Sequence, residues 1–425
     1  MARLALLGGP SIIQPTGAST TDPWTYRDLE EAFVRYTGSR YALAVSSGTG
    51  ALISALAATG AGPGDEVLTV AHTWVASVSA ILRCNAIPIF VDVDRHTFNM
   101  DVADAARKIT PQTKAILAVD FFGLPANPAL MDLAASHGLF VVEDACQAGG
   151  AEIDGRKVGN IAHLTAFSFS GKPLSAEGGG VLTTNDRTLL EKAMLAGQHP
   201  TFLSRHITSP ELRRYIDFGG RGDNLRSQKV LADAVLHDLY SADLRIDARI
   251  ANCEFLTEQL SGTDVIRPPS VPSGYKHVYH LYTCLLDVDA VGLSRDLFLA
   301  ALRAEGVPST SYITHANFDF TEGGRPLAAG PIHLRTVFQE MDIYGKGCPF
   351  LCPHAARRPD YSRGSLPVTE WLADRGFSLL QPSLSYPNGK REMQQIVDAV
   401  HKVLDNAEEL RTAGPMVDAA VSPRA

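Results

Sequence analysis

The chain has 425 residues, 45% of them hydrophobic and 20% charged, enough for about two or three domains with a sizeable buried core. That composition excludes wholesale disorder, a collagen-like repeat and a disulfide-stapled miniprotein. Lys and Arg number 38 against 46 Asp and Glu, and the net charge of −8 speaks against nucleic acid or an anionic membrane as partner, though not against a small anion held by local groups.

The opening MARLALLGGPSII carries an apolar patch too short for a signal peptide. No stretch reaches the roughly 18 apolar residues of a membrane-spanning helix. The expectation is a soluble cytoplasmic protein. From about residue 25 to 240, short β-branched runs alternate with helical segments. Strands are expected at Tyr41–Ser46, Asp65–Val70, Ile87–Val93, Lys114–Val119 and Phe140–Glu143. Helices are expected at Gly50–Thr59, Thr73–Cys84 and Ala129–Ser136. Strands this apolar, alternating with helices, predict an α/β fold with a mostly parallel sheet covered on both faces, whose ligands sit at the carboxyl ends of the strands. A long helical stretch follows at Gln228–Leu260. Beyond it the pattern changes, with a strand at Tyr279–Leu286 and helices at Leu297–Glu305 and Gln394–Leu410. The division is a large domain over 1–245, a linker helix over 246–264, a smaller α+β domain over 265–410 and a tail over 411–425.

Six cysteines are scattered through the chain and read as free thiols. Cys348 and Cys352 lie near His354, but no second pair completes a four-ligand set, so no metal site is expected.

The segment AFSFSGKPLSAEGGG (166–180) carries the strongest chemical signal. Lys172 lies between Phe167/Phe169 and a glycine run. A lysine partly removed from water can offer a neutral amine for Schiff-base chemistry, and glycines allow a cofactor to approach. SSGTG (46–50) ends a strand and opens a helix, a place where free N–H groups either bind phosphate or are simply capped. Asp144 ends a strand, as a partner for a pyridinium nitrogen or as a helix cap. Trp74 follows another strand, as a stacking platform or as core. Asn224 lies in the polar loop GGRGDNLRSQ.

In this order, SSGTG, Trp74, FVDVD (90–94), VVEDACQAGGAEIDGRKVGN (141–160), AFSFSGKPLSAEGGG and DNLRSQ (223–228) resemble the DegT/DnrJ/EryC1/StrS aminotransferases over about residues 10–410. The resemblance implies a fold-type I enzyme with a mostly parallel seven-stranded sheet and pyridoxal 5′-phosphate as cofactor. By it, Lys172 forms the Schiff base and moves protons, while Asp144 holds the pyridine nitrogen. Gln147 lies near the ring hydroxyl and Trp74 stacks on the ring. Gly48, Thr49 and Ser168 hold the phosphate. Asn224 reaches the phosphate of the neighbouring subunit, which implies a homodimer with active sites at the interface. An amino-acid donor, glutamine or glutamate, would supply nitrogen to a keto-sugar or keto-cyclitol of antibiotic or other secondary metabolism.

Departures from the family pattern are visible. Ser168 precedes Lys172 by four positions where the family has five, which leaves Ser170 as the other phosphate candidate. Asp120–Gly123 (DFFG) stands where the family has HLYG. Two other readings are weighed. One is an aromatising enzyme of the aminohydroxybenzoate-synthase type, which also keeps the lysine. The other is an aminotransferase-like regulator, for which the chain lacks a basic DNA-binding module. Residues 344–382 resemble an insertion of the cyclitol-using branch and read equally as a surface loop. Arg226 could meet a donor carboxylate. His280, Tyr312 and His315 are possible pocket groups.

Overall fold

The computed structural model describes residues 26–312, 321–322, 325–326 and 331–412. His315, the first 25 residues and the tail beyond 412 lie outside the described residues. Strands are numbered in chain order. The first nine are β1 (Tyr41–Val45), β2 (Glu66–Val70), β3 (Ile87–Val91), β4 (Thr113–Val119), β5 (Phe140–Asp144), β6 (Glu152–Ile153), β7 (Arg156–Lys157), β8 (Leu164–Ser168) and β9 (Gly180–Thr184). Then come β10 (Ile266–Arg267), β11 (Tyr275–Lys276), β12 (Leu281–Leu286), β13 (Ser309–Thr310), β14 (Thr321–Glu322), β15 (Arg325–Pro326) and β16 (Gly376–Leu380).

Seven strands form the main sheet in the order β1-β9-β8-β5-β4-β2-β3. The pairs from β8 through β3 are parallel, and β9 alone runs antiparallel to both its neighbours. Alternation along β4 explains why these strands read as continuous apolar runs. Ala115 and Leu117 enter the core on one face, with Leu52, Leu56 and Leu190, while Ile116 and Ala118 enter the core on the other. Both faces are dry, so both sets of side chains must be apolar. The strands expected from sequence are all present.

The helix expected from Gly50 begins two residues earlier, at Gly48 (Gly48–Thr59), where Ser47 Oγ accepts the Gly50 N–H at 3.0 Å. It stops at Gly60, which adopts φ 82°. The long helical stretch after Gln228 is two helices, Lys229–Leu239 and Ala242–Leu260, with a break at Tyr240–Ser241. A second, antiparallel sheet follows in the order β10-β12-β16-β13. Its core joins Tyr282, Cys284 and Phe377 to Phe298, Ile396 and Val400 of the helices Arg295–Ala304 and Lys390–Asp405.

The segment from 331 to 375 leaves this second sheet and lies along the exposed edge of the first. Phe338 and Tyr361 pack edge-to-face on Phe90 of β3, Phe350 packs edge-to-face on both of them, and the Tyr361 hydroxyl donates to the Pro88 carbonyl at 2.7 Å. Arg357 grips Glu66 of β2 with two hydrogen bonds, at 2.7 and 3.0 Å. Asp92, just beyond β3, caps the helix Pro367–Arg375. Its carboxylate accepts the backbone N–H groups of Val368 and Thr369 and the Thr369 hydroxyl. Residues 344–366 are therefore a strap sealing a sheet edge, not a free loop. Among the described residues no helix is long and apolar enough to cross a membrane, and no group of three or more His, Cys, Asp or Glu is placed to hold a metal ion.

Candidate active site

The carboxyl ends of β1, β2, β5 and β8 converge with the loop between β8 and β9. The Gly48–Thr59 helix starts directly after β1, and its first turn is pressed against two neighbours. A Cβ at Gly48 would stand 2.5 Å from the Ser168 Cβ and 2.8 Å from Cys146 Sγ. One at Gly180 would stand 2.4 Å from the Ser47 carbonyl oxygen. Only glycine permits this approach. Gly48 and Ser168 thus meet at the first turn of a helix that also carries Thr49, where free backbone N–H groups and the helix's positive end can receive an anion. Ser170, by contrast, is exposed. Of the two serines, Ser168 is the one that lies against Gly48.

Asp144 ends β5 and is buried. Its Oδ2 accepts the Ser77 hydroxyl at 2.7 Å and its Oδ1 accepts the Cys146 N–H at 3.2 Å. Gln147 is held at both ends of its amide. Phe122 N–H donates to its Oε1 at 2.9 Å, and its Nε2 donates to the Tyr312 hydroxyl at 2.8 Å. Burial holds the Lys172 amine below the usual lysine range, while Cys146 and Asp144 pull in the opposite direction. Those two groups are therefore near enough to act on it. Burial also keeps the Cys146 thiol protonated, and Asp144 reinforces this.

Trp74 begins the helix Val75–Arg83 with its side chain 43% exposed, so it is not a core residue. The loop carrying Asn224 lies against the end of β1. Ser46 N–H donates to the Leu225 carbonyl at 2.8 Å, and Arg226 Nε donates to Asn224 Oδ1 at 2.8 Å. Asn224 is itself exposed. His280 is buried behind the site, close enough to Lys172 to feel its charge, and its Nδ1 lies 3.4 Å from Gln381 Oε1. Burial lowers His280 to a pKa of about 3, so it stays neutral.

Two residues had drawn no attention in the sequence, and a third, Asp120, had been noted only as a departure from the family pattern. Ser77 and Thr73 stand behind Asp144, with Thr73 Oγ1 2.9 Å from Ser77 Oγ. Asp120, where the family has histidine, is fully buried beside Glu143 and Asp144. Its Oδ1 accepts the Ala126 N–H at 2.8 Å and its Oδ2 has no protein partner. Burial, with the neighbouring Glu143 and Asp144 carboxyls, pushes Asp120 well above the usual carboxylate range. No local signal marks Ser77 or Thr73, because each acquires its partner only through the fold.

A glycine-lined helix start, a buried carboxylate at the sheet edge and a desolvated lysine within electrostatic reach of it therefore lie in one region. Comparison with known proteins places the chain in a family. The profile of the DegT/DnrJ/EryC1/StrS aminotransferase family matches residues 15–319. The chain belongs to that family. It is 37% identical over 289 residues to the UDP-N-acetyl-3-dehydro-α-D-glucosamine 3-aminotransferase of Acidithiobacillus ferrooxidans, covering 67% of this chain and 73% of that one. It is 31% identical over 398 residues to the L-glutamine:2-deoxy-scyllo-inosose aminotransferase of Streptoalloteichus tenebrarius, covering 91% and 89%. Among solved structures, S. venezuelae DesV in complex with a ketimine intermediate superposes with a TM-score of 0.72 at 28% identity, covering 89% and 88%.

As a DegT/DnrJ/EryC1/StrS aminotransferase the protein has the fold-type I architecture and depends on pyridoxal 5′-phosphate. Its own residues fit that group. A Cβ would fill the space at Gly48, an acid stands where a pyridinium needs one, and the amine has a lowered proton affinity.

Proposed function

We propose that this aminotransferase takes an amino group from glutamine or glutamate and delivers it to a keto-cyclitol or keto-sugar in antibiotic or other secondary metabolism. The observation that carries the reading is the placement of Lys172. Its amine is desolvated and lies within electrostatic reach of Asp144 and of Cys146, whose Sγ would stand 2.8 Å from a Cβ at Gly48. The similarity to the inosose aminotransferase extends over 91% of the chain, far enough to include part of the strap, and this supports a cyclitol acceptor.

The bound cofactor supplies an electron sink for the carbon that loses or gains a proton. The chain supplies the rest. Lys172 Nζ accepts and returns that proton, which requires an amine that is not held protonated. Asp144 places negative charge opposite the ring nitrogen. Gln147, fixed by Phe122 and Tyr312, keeps one amide hydrogen for the ring hydroxyl. Gly48, Thr49 and Ser168 would hold the phosphate, and Trp74 would stack on the ring.

A second copy completes the site. Phe218, Val230, Tyr240 and Leu244 are all more than half exposed, an apolar set that a homodimer would bury. Asn224 would then reach the partner's phosphate. The curated relatives named above are aminotransferases, and this favours amino transfer over the aromatising alternative.

The test is to convert the enzyme to its amino form with glutamine or glutamate, then follow return of the aldehyde absorption with keto-cyclitols, keto-sugars and simple 2-keto acids. Return with a cyclitol or sugar ketone supports the proposal. Return with simple keto acids alone overturns it.

A further inference from the structure

Asp144 is steered by a hydroxyl chain that begins outside the ring pocket. The helix Val75–Arg83 buries Ser77, Val78, Ala80 and Ile81, and Ser77 is fully enclosed. Ser77 has a single proton, and a carboxylate can only accept, so the 2.7 Å contact commits that proton to Asp144 Oδ2. Thr73 Oγ1, 2.9 Å away and also buried, must then donate to Ser77 Oγ. The two hydroxyls form a directed chain ending on the carboxylate, and aligned hydrogen bonds strengthen one another. The turn that carries Thr73 is itself fixed, because Ile332 N–H, ahead of the strap, donates to the Ala71 carbonyl at 3.2 Å.

Other groups face Asp144 from every side. Cys146 offers its N–H and a protonated thiol, Lys172 approaches from the β8–β9 loop, and Asp120 and Tyr312 lie within electrostatic range. Of these, Lys172 and Tyr312 are the ones committed by the reading to cofactor or to Gln147. Asp120 is a like-charged group if ionised. The work of fixing the plane of the carboxylate therefore falls to Ser77 on one oxygen and Cys146 on the other.

We infer that Ser77, backed by Thr73, is a positioning residue that orients the Asp144 carboxylate toward the cofactor's ring nitrogen. This rests on the proposed role of Asp144. Without the donor, the carboxylate is free to turn and its hold on the ring proton weakens. The ring then withdraws less charge from its link to Lys172, and the pH midpoint of the visible absorption band rises.

The experiment titrates that band against pH in the pyridoxal-phosphate-loaded wild type and in Ser77→Ala, Thr73→Val, Thr73→Ser and Ser79→Ala, with thermal unfolding of each alongside. Ser79 is exposed on the same helix and serves as control. Ser77→Ala should raise the midpoint by about half a pH unit or more, and lower kcat by about tenfold with KM for the donor changed less than about twofold. Thr73→Val should move it the same way by less, while Thr73→Ser and Ser79→Ala should match wild type. If Ser77→Ala does not fold, Thr73→Val carries the test. Midpoints for Ser77→Ala and Thr73→Val that coincide with wild type overturn the inference, whatever the unfolding temperatures. A wild type that shows no visible band with added cofactor would instead defeat the reading of the pocket itself.

Discussion

Ser168 closes on Gly48. A methyl group added at Gly48 would stand 2.5 Å from the Ser168 Cβ, nearer than real side-chain carbons approach. Gly48→Ala should therefore push Ser168 and Cys146 out of the cradle and lower affinity for pyridoxal phosphate at least about tenfold, about 1.4 kcal/mol. Fluorescence titration of the cofactor-free protein measures this. Ser168→Ala should weaken binding in the same assay, and exposed Ser170→Ala should leave it unchanged. The reverse ranking of the two serines would show that the cradle is misassigned.

Lys172 predicts a pH dependence. Burial lowers its folded pKa relative to the unfolded chain, so the folded protein releases this proton at lower pH than an ordinary lysine with pKa near 10.4. The sign follows. Protonated Lys172 burdens the cofactor-free fold below the folded value, and the burden is relieved as pH rises from there toward the unfolded value. The rate of covalent attachment of added pyridoxal phosphate should rise with pH to a plateau whose midpoint lies below that of free lysine. Stopped-flow absorbance from pH 6 to 10 gives the midpoint, and a midpoint at the free-lysine value would remove the claim of desolvation.

His72 predicts acid sensitivity. It is buried against Phe121, Phe122 and Phe98, its Nδ1 has no protein partner, and desolvation lowers its pKa to about 3. The unfolded chain binds a proton near pH 6.5 that the folded protein refuses. The stability this group leaves intact above pH 6.5 is therefore lost progressively as pH falls from there toward about 3. His277 and His280 behave alike. His72→Phe should flatten the decline in urea midpoint between pH 7 and 5 and leave stability at pH 8 within about 1.5 kcal/mol of wild type. An unchanged slope would exclude His72 as a contributor.

These residues also show what the sequence could reveal. Lys172, Asp144 and the SSGTG turn were legible because each sits where a strand or a turn ends and its chemistry is local. β9 was not read as a strand because Thr183 and Thr184 dilute its apolar run. In the fold both are buried, and their hydroxyls donate to the carbonyls of Gly159 and His163 at 2.9 and 2.6 Å. The break at Tyr240–Ser241 carries neither Gly nor Pro, and the apolar spacing continues through it. Ser77 and Asp144 are 67 positions apart, and nothing in either neighbourhood announces their contact. The strap looked like a polar surface loop because its anchors, Phe350, Tyr361 and Arg357, are spread among Gly, Pro and charged residues.

Asp92 tests the strap. Its carboxylate accepts three hydrogen bonds at the start of the helix Pro367–Arg375, two of them from backbone N–H groups with no helical partner of their own. Asp92→Ala should cost about 1–3 kcal/mol, measured by urea unfolding. A loss below about 0.5 kcal/mol would mean that water replaces the cap at no cost and that the strap is held elsewhere.

The central claim is that Lys172 carries the cofactor. Borohydride reduction of the loaded enzyme, followed by proteolysis and mass spectrometry of the peptides, tests it most directly. A single phosphopyridoxyl group is expected on the peptide containing Lys172, absent from Lys172→Ala. Label on another lysine, or none on a protein that turns over, would contradict it.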